Sequence, residues 1–144
     1  MSHDLRHFMN ADGAECRTLD GRLHCEDGPA RICQDGTKEW WLYGQLHRED
    51  GPAVIFPDGE EVEYWQNSLL HREDGPAIER NDIKVWYIEG NRHRLDGPAV
   101  IKPDGSVGWW VRGIHVTSMK HFRELTGISD EELSLLALKY GGIK

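Results

Sequence analysis

Histidines at 24, 47, 71 and 93, each with an aspartate three residues on at 27, 50, 74 and 96, are the side chains of this 144-residue chain best equipped for chemistry. Imidazole and carboxylate together can hold zinc, or act as a general base and the group that orients it. Their spacing argues against both. His24, His47, His71 and His93 recur at intervals of 23, 24 and 22 residues, and a fixed period of that length marks one supersecondary unit copied and stacked. If each unit supplies two strands, neighbouring histidines lie about 9.6 Å apart, whereas zinc holds its histidine nitrogens at about 2.0–2.1 Å. One ion cannot join successive units, and within a unit His47, Glu49 and Asp50 make a carboxylate-rich, solvated set. Active sites are normally singular, while four equal copies point to a structural task. The expectation is that no residue is catalytic, that no metal or other cofactor is bound, and that each His and Asp hydrogen-bonds backbone groups of its own connection, as Asx-type turns do. No Gly-rich phosphate loop, nucleophile elbow or zinc-spaced cysteine set is present.

The elements that must position these residues can be read from the repeat. It centres on an octapeptide: LHCEDGPA from Leu23, LHREDGPA from Leu46 and from Leu70, and RHRLDGPA from Arg92. From Gly51 one unit runs GPAVIF, PDGE, EVEYWQ and NSLLHRED, which predicts strand, tight turn, strand and longer turn. Asp-Gly between apolar runs is a strong hairpin signal because glycine accepts positive φ. It occurs at Asp12-Gly13, Asp35-Gly36, Asp58-Gly59 and Asp104-Gly105, with Asn81-Asp82 in its place in one unit. Strands of about five residues give an all-β fold, an antiparallel β-hairpin meander of about nine or ten strands in one elongated, twisted sheet. A parallel β-helix of the same period would leave the hairpin turns without a use.

Two adjacent columns are aromatic in every unit: Trp40, Tyr64, Trp86 and Trp109, then Trp41, Trp65, Tyr87 and Trp110. Neighbouring strand residues face opposite sides, so each face carries a row. The first is followed two residues on mainly by Leu42, Ile88 and Val111 and is expected to be core. The second is followed by Tyr43, Asn67, Glu89 and Arg112, and is expected to be the half-open face, a recognition surface or a ladder of cross-packed rings.

Charge narrows the partner. Residues 9–117 hold 12 Lys and Arg against 20 Asp and Glu, while both ends balance, so the whole net charge of -8 belongs to the repeats. Nucleic acids and the anionic cytoplasmic membrane surface both reward basic proteins, so neither is expected as a direct partner. Three cysteines, Cys16, Cys25 and Cys33, crowd the first quarter and read as free thiols of a reducing compartment. Neither a signal peptide nor an apolar run near the ~18 residues of a membrane helix is evident. A soluble, cytoplasmic protein is expected.

Gly44-Gln-Leu-His47, then Gly51, then Pro57-Asp58-Gly59 resembles the MORN repeat, whose units run about 23 residues with G-x-x-H, a glycine and a late D-G. Residues 12–115 resemble a variant of that family, a bacterial or viral type with repeated LHREDGPA units. The resemblance implies an elongated, curved antiparallel sheet used for protein contacts. Arg48-Glu49-Asp50 is inserted between His and glycine, and Pro-Ala follows; with the acidic balance, lipid binding is not expected.

The last residues leave the period, dividing a repeat domain at 1–117 from a two-helix cap at 118–144. Phe122 and Leu125 make the apolar side of a first helix ended by Gly127. Ser129 and Glu132 form a capping box for a second, with Leu133, Leu136, Ala137 and Tyr140 on one stripe before Gly141-Gly142 stops it. A terminal cap covers the edge of a repeat array, and Leu135 and Leu138 on the other side could join a second copy into a homodimer. The expected function is a non-enzymatic protein-protein interaction module. Its site would be the row Trp41, Trp65, Tyr87 and Trp110 with the acidic turn residues Glu49, Asp50, Glu73 and Asp74, which steer a partner with a basic surface. An alternative is an inhibitor, an antitoxin or viral anti-defence factor, that blocks a nucleic-acid-binding enzyme by acidic mimicry. A second alternative is an enzyme or metal protein using the repeated His and Asp.

Overall fold

The Asp-Gly turns do reverse the chain. In the computed structural model, which describes residues 3–143, Val54–Ile55 pairs with Val62–Glu63 across the loop that holds Asp58 and Gly59. Gly59 sits at φ 76, and Asp58 Oδ1 accepts from the backbone N–H groups of Glu60 and Glu61, both at 2.9 Å. Asp35 and Asp104 do the same for Thr37 and Ser106, each at 2.8 Å. At Asn81-Asp82 both residues are left-handed, with φ 50 and 61, and join Ile78–Arg80 to Ile83–Val85.

Ten strands follow one another in chain order through a single antiparallel sheet: Leu5–Met9, Glu15–Leu19, Arg31–Ile32, Lys38–Glu39, Val54–Ile55, Val62–Glu63, Ile78–Arg80, Ile83–Val85, Val100–Ile101 and Val107–Gly108. The short Arg22–Leu23 strand also pairs with Glu15–Leu19. Every pairing among the described residues is antiparallel, and the sheet stays open rather than closing into a barrel.

The meander differs from expectation in its ladders, most of which are two residues long instead of about five. The strand changes partners at the aromatic pair. Lys38 and Glu39 pair with Ile55 and Val54, the Trp40 N–H donates to Ala53 O, and Trp41–Leu42 then pairs with Gln45–Leu46 in a hairpin of its own. Trp65–Gln66 with Leu69–Leu70, Tyr87–Ile88 with Asn91–Arg92, and Trp110–Val111 with Ile114–His115 repeat it. What reads as a long turn is thus a second row of hairpins beside the main sheet. Their two-residue turns have positive φ at both positions, as at Tyr43-Gly44 (49 and 81) and Asn67-Ser68 (50 and 62), the type I′ geometry that matches strand twist.

Packing inside the array is thin. Its most enclosed column is the alanine that ends each octapeptide, with Ala30, Ala53, Ala77 and Ala99 all buried. A larger apolar cluster forms where the helices α1 (Met119–Thr126) and α2 (Asp130–Tyr140) meet the last unit. Trp109, Val111, Val116 and Phe122 are buried there, with Met119, Leu125, Leu133, Leu136 and Tyr140 packed around them. Phe122 and Tyr140 meet Trp109 edge-on, at 5.1 and 6.1 Å between ring centroids. Ser118 Oγ caps α1 by accepting from His121 N–H at 3.0 Å, Gly127 ends it in a left-handed conformation, and Ser129 Oγ accepts from Glu132 N–H at 3.2 Å. Leu135 and Leu138 face solvent. Leu5–Met9, the strand that the Asp12-Gly13 turn joins to Glu15–Leu19, is an outer strand whose five residues are all exposed. Phe122→Ala is expected to cost about 3–5 kcal/mol by leaving a cavity against Trp109, and Leu138→Ala no more than about 0.5 kcal/mol; urea denaturation reads both.

Candidate functional site

The repeated histidines join one unit to the next. A two-residue hairpin turn leaves its own N–H groups without partners inside the hairpin, and each turn here directs both at the preceding unit. Tyr43 N–H donates to His24 Nδ1 at 3.0 Å and Gly44 N–H to Leu23 O at 2.9 Å. Asn67 donates to His47 Nδ1 and Glu89 to His71 Nδ1, both at 3.0 Å, and Arg112 to His93 Nδ1 at 2.9 Å; Ser68, Gly90 and Gly113 donate to Leu46, Leu70 and Arg92 O. The expectation that each imidazole serves its own connection is therefore corrected, because the free donors belong to the following turn. An Nδ1 that accepts must be unprotonated, which places the ring proton on Nε2. That nitrogen faces Glu26, Glu49 and Glu73 at 3.7, 3.5 and 3.7 Å. His93 has Leu95 at the corresponding position.

The aspartates serve an arginine. Arg48 Nε donates to Asp50 Oδ1 at 3.0 Å and its Nη1 to Pro52 O at 3.1 Å, while the guanidinium lies 4.1 Å from the Trp40 ring centroid. Arg72 repeats this with Asp74, Pro76 O and Tyr64, and Arg94 with Asp96, Pro98 O and Trp86. The fork holds the connection closed while its face covers an aromatic ring. It also accounts for the glycine: a Cβ at Gly75 would stand 2.9 Å from Arg72 Cζ, and one at Gly97 would stand 2.8 Å from Arg94 Cζ. In the first unit Cys25 replaces the arginine. Its thiol donates to Asp27 Oδ1 at 3.1 Å, holding that carboxyl below the usual aspartate range, and Arg17 reaches Pro29 O instead. Sequence reasoning missed this clamp, although Arg at 48, 72 and 94, two residues before each Asp, was its signal.

The turn carboxylates stand on ridges. Glu49, Asp50, Glu73 and Asp74 expose 82, 87, 83 and 87% of their side chains. Three successive grooves, of about 370, 570 and 670 Å³, run between these connections. They are lined by Trp40 and Leu42, then Tyr64 and Gln66, then Trp86 and Ile88, by the clamp arginines Arg48, Arg72 and Arg94 with the histidines beside them, and by the carboxylates Glu26, Asp27, Glu49, Asp50, Glu73, Asp74 and Asp96.

The acidic turns thus share a face with the Trp40 row, not with the Trp41 row expected to accompany them. Trp40, Tyr64 and Trp86 are half-buried under arginines, and only Trp109 of that row is fully buried. Trp41, Trp65, Tyr87 and Trp110 are also half-buried, and neighbours engage their polar edges and rings. Trp41 Nε1 donates to Glu39 and Trp65 Nε1 to Glu63, both at 2.9 Å; Arg92 donates to the Tyr87 hydroxyl at 3.3 Å and lies 5.0 Å from the Trp110 ring centroid.

Among the described residues no group of three or more His, Cys, Asp or Glu is placed to hold a metal ion, and no helix is long and apolar enough to cross a membrane. Comparison with protein-family models, curated proteins and solved structures finds no match for this chain.

Burial, reinforced by the Arg112 charge, lowers the pKa of His93 from its ordinary 6.5. Folded His93 therefore binds fewer protons than unfolded His93. Its contribution to stability is complete above about pH 6.5 and is lost as pH falls through the lowered value. An NMR titration should place His93 below 6.5, and the urea midpoint should fall between about pH 8 and about pH 5, less so in His93→Phe.

Proposed function

We propose that this chain is a non-enzymatic protein-binding module whose ridged acidic face receives lysine and arginine side chains of a partner. The observation that carries this reading is the row of three grooves lined in part by exposed carboxylates. The repeats' surplus of 20 acidic over 12 basic residues extends it beyond single contacts, and a field of one sign steers an oppositely charged surface into register. Catalysis draws no support from the histidines, whose Nδ1 atoms are committed to backbone donors at all four positions. Resemblance to the MORN repeat fits the same reading, since that family's sheets serve protein contacts. If the partner's basic surface otherwise holds a phosphate backbone, the repeats' excess of negative charge would compete with it and binding would inhibit that partner.

Glu26, Glu49 and Glu73 can be changed without touching the arginine clamps, which use the aspartates. In capture from native-host lysate, Glu26→Gln/Glu49→Gln/Glu73→Gln is expected to weaken retention of the bound protein about tenfold, on the order of 0.5 kcal/mol per lost contact. Retention should also fall as salt rises from about 0.15 M to about 1 M, where the screening length shrinks from about 8 to about 3 Å. Retention unchanged by both, but lost in a folded Trp41→Ala/Trp65→Ala variant, would move the site to the opposite face.

A further inference from the structure

We infer that Leu5–Met9 pairs edge to edge with the same strand of a second copy, antiparallel and about a two-fold axis at His7. At the other end of the array, helices α1 and α2 pack on the last unit around Trp109. At this end, no strand among the described residues pairs with the outer side of Leu5–Met9. All five of its residues are exposed, with Leu5 and Met9 at 73 and 66%.

Hydrogen bonding shows which groups point outward. The register sets Leu5 opposite Leu19 and Met9 opposite Glu15. Asp20 N–H donates to Asp4 O and Asn10 N–H to Ala14 O, each at 2.9 Å. Bonds to the inner neighbour therefore fall on residues 4, 6, 8 and 10, because bonded and non-bonded pairs alternate along an antiparallel ladder. Leu5, His7 and Met9 are left with N–H and C=O directed at the free edge, and such an edge is a template for another strand.

The side chains favour a second copy in one register. Centring on His7 places Leu5 opposite Met9 of the second copy, apolar against apolar, at both ends of the pairing. On the other face Arg6 falls opposite Phe8 of the second copy, a cation over an aromatic ring. His7 meets its own counterpart while its Nε2 stays 2.6 Å from Glu15 Oε1 in the same chain, so each imidazole brings a carboxylate with it. Sliding by two residues one way sets Arg6 against Arg6; sliding the other way leaves Leu5 without a partner. The His7 register uses the whole strand. It is isologous and uses the Leu5–Met9 edge of both copies at once, so this contact closes at a dimer rather than propagating into a fibre.

The test exploits the pairing of Leu5 with Met9, which share one strand and meet only across the axis. Sedimentation velocity of the full chain is expected to show twice the mass of one chain. Leu5→Lys/Met9→Lys sets like charges opposite each other and is expected to give a monomer with unchanged circular dichroism. Leu5→Lys/Met9→Glu sets opposite charges there and is expected to restore the dimer. His7→Pro removes an outward donor without breaking a bond to the inner strand and is expected to give a monomer. A wild-type monomer at every loading concentration overturns the inference. So does a dimer that survives Leu5→Lys/Met9→Lys, or one lost in Leu135→Glu/Leu138→Glu, which would assign the contact to α2.

Discussion

Each second-row hairpin has a turn whose two N–H groups find acceptors only in the unit before it, and the architecture depends on that constraint. Each such hydrogen bond contributes about 0.5–1.5 kcal/mol net, and every unit obtains these two only from its neighbour. The leucine or arginine carbonyl and the histidine Nδ1 of the preceding octapeptide supply the missing acceptors. Placing an imidazole there requires the connection to return along one path, which the arginine fork secures by bonding the aspartate and the proline carbonyl. The guanidinium in turn needs a glycine beneath it. The octapeptide thus spells out one interdependent device: an acceptor, a clamp, a carboxylate to hold the clamp, a gap for it, and an alanine small enough for the crossing.

That device compensates for a missing second layer. A single sheet has nothing to bury large side chains against along most of its length, and the alanine column is correspondingly small. Stability is spread over junctions that each involve neighbouring units, the regime of quasi-one-dimensional repeat proteins. The exception is the C-terminal end, where α1 and α2 bring a second layer and Trp109 becomes the one member of its column to be fully buried.

Much of this was legible in the residues. Asp-Gly turns, the substitution by Asn81-Asp82 and the helical cap follow from local rules that depend on a few neighbours. The second row of hairpins was not legible, because its turns read Tyr-Gly, Asn-Ser, Glu-Gly and Arg-Gly, and in three of them the first residue adopts positive φ despite a type that rarely does. The face of the acidic turns was hidden for another reason. Period-two alternation assigns sides along a strand, but it does not carry through an irregular return, so joining Glu49 and Asp50 to Trp41 rather than Trp40 was an even choice. The arginine clamp stayed invisible because an arginine beside two carboxylates reads as a solvated charge until the ring beneath it is seen.

The sameness of the junctions has a consequence for how such a chain can vary. At all four, the histidine accepts from the first residue of a two-residue turn, whether that residue is Tyr43, Asn67, Glu89 or Arg112, so the joint does not read the identity of the side chain it binds. One copy can be gained or lost by duplication or deletion of a whole period without redesigning either neighbour. Each such event lengthens or shortens the face by two strands, about 9.6 Å. Reach is therefore a property this chain can change in whole steps, while the chemistry of each step is inherited unchanged.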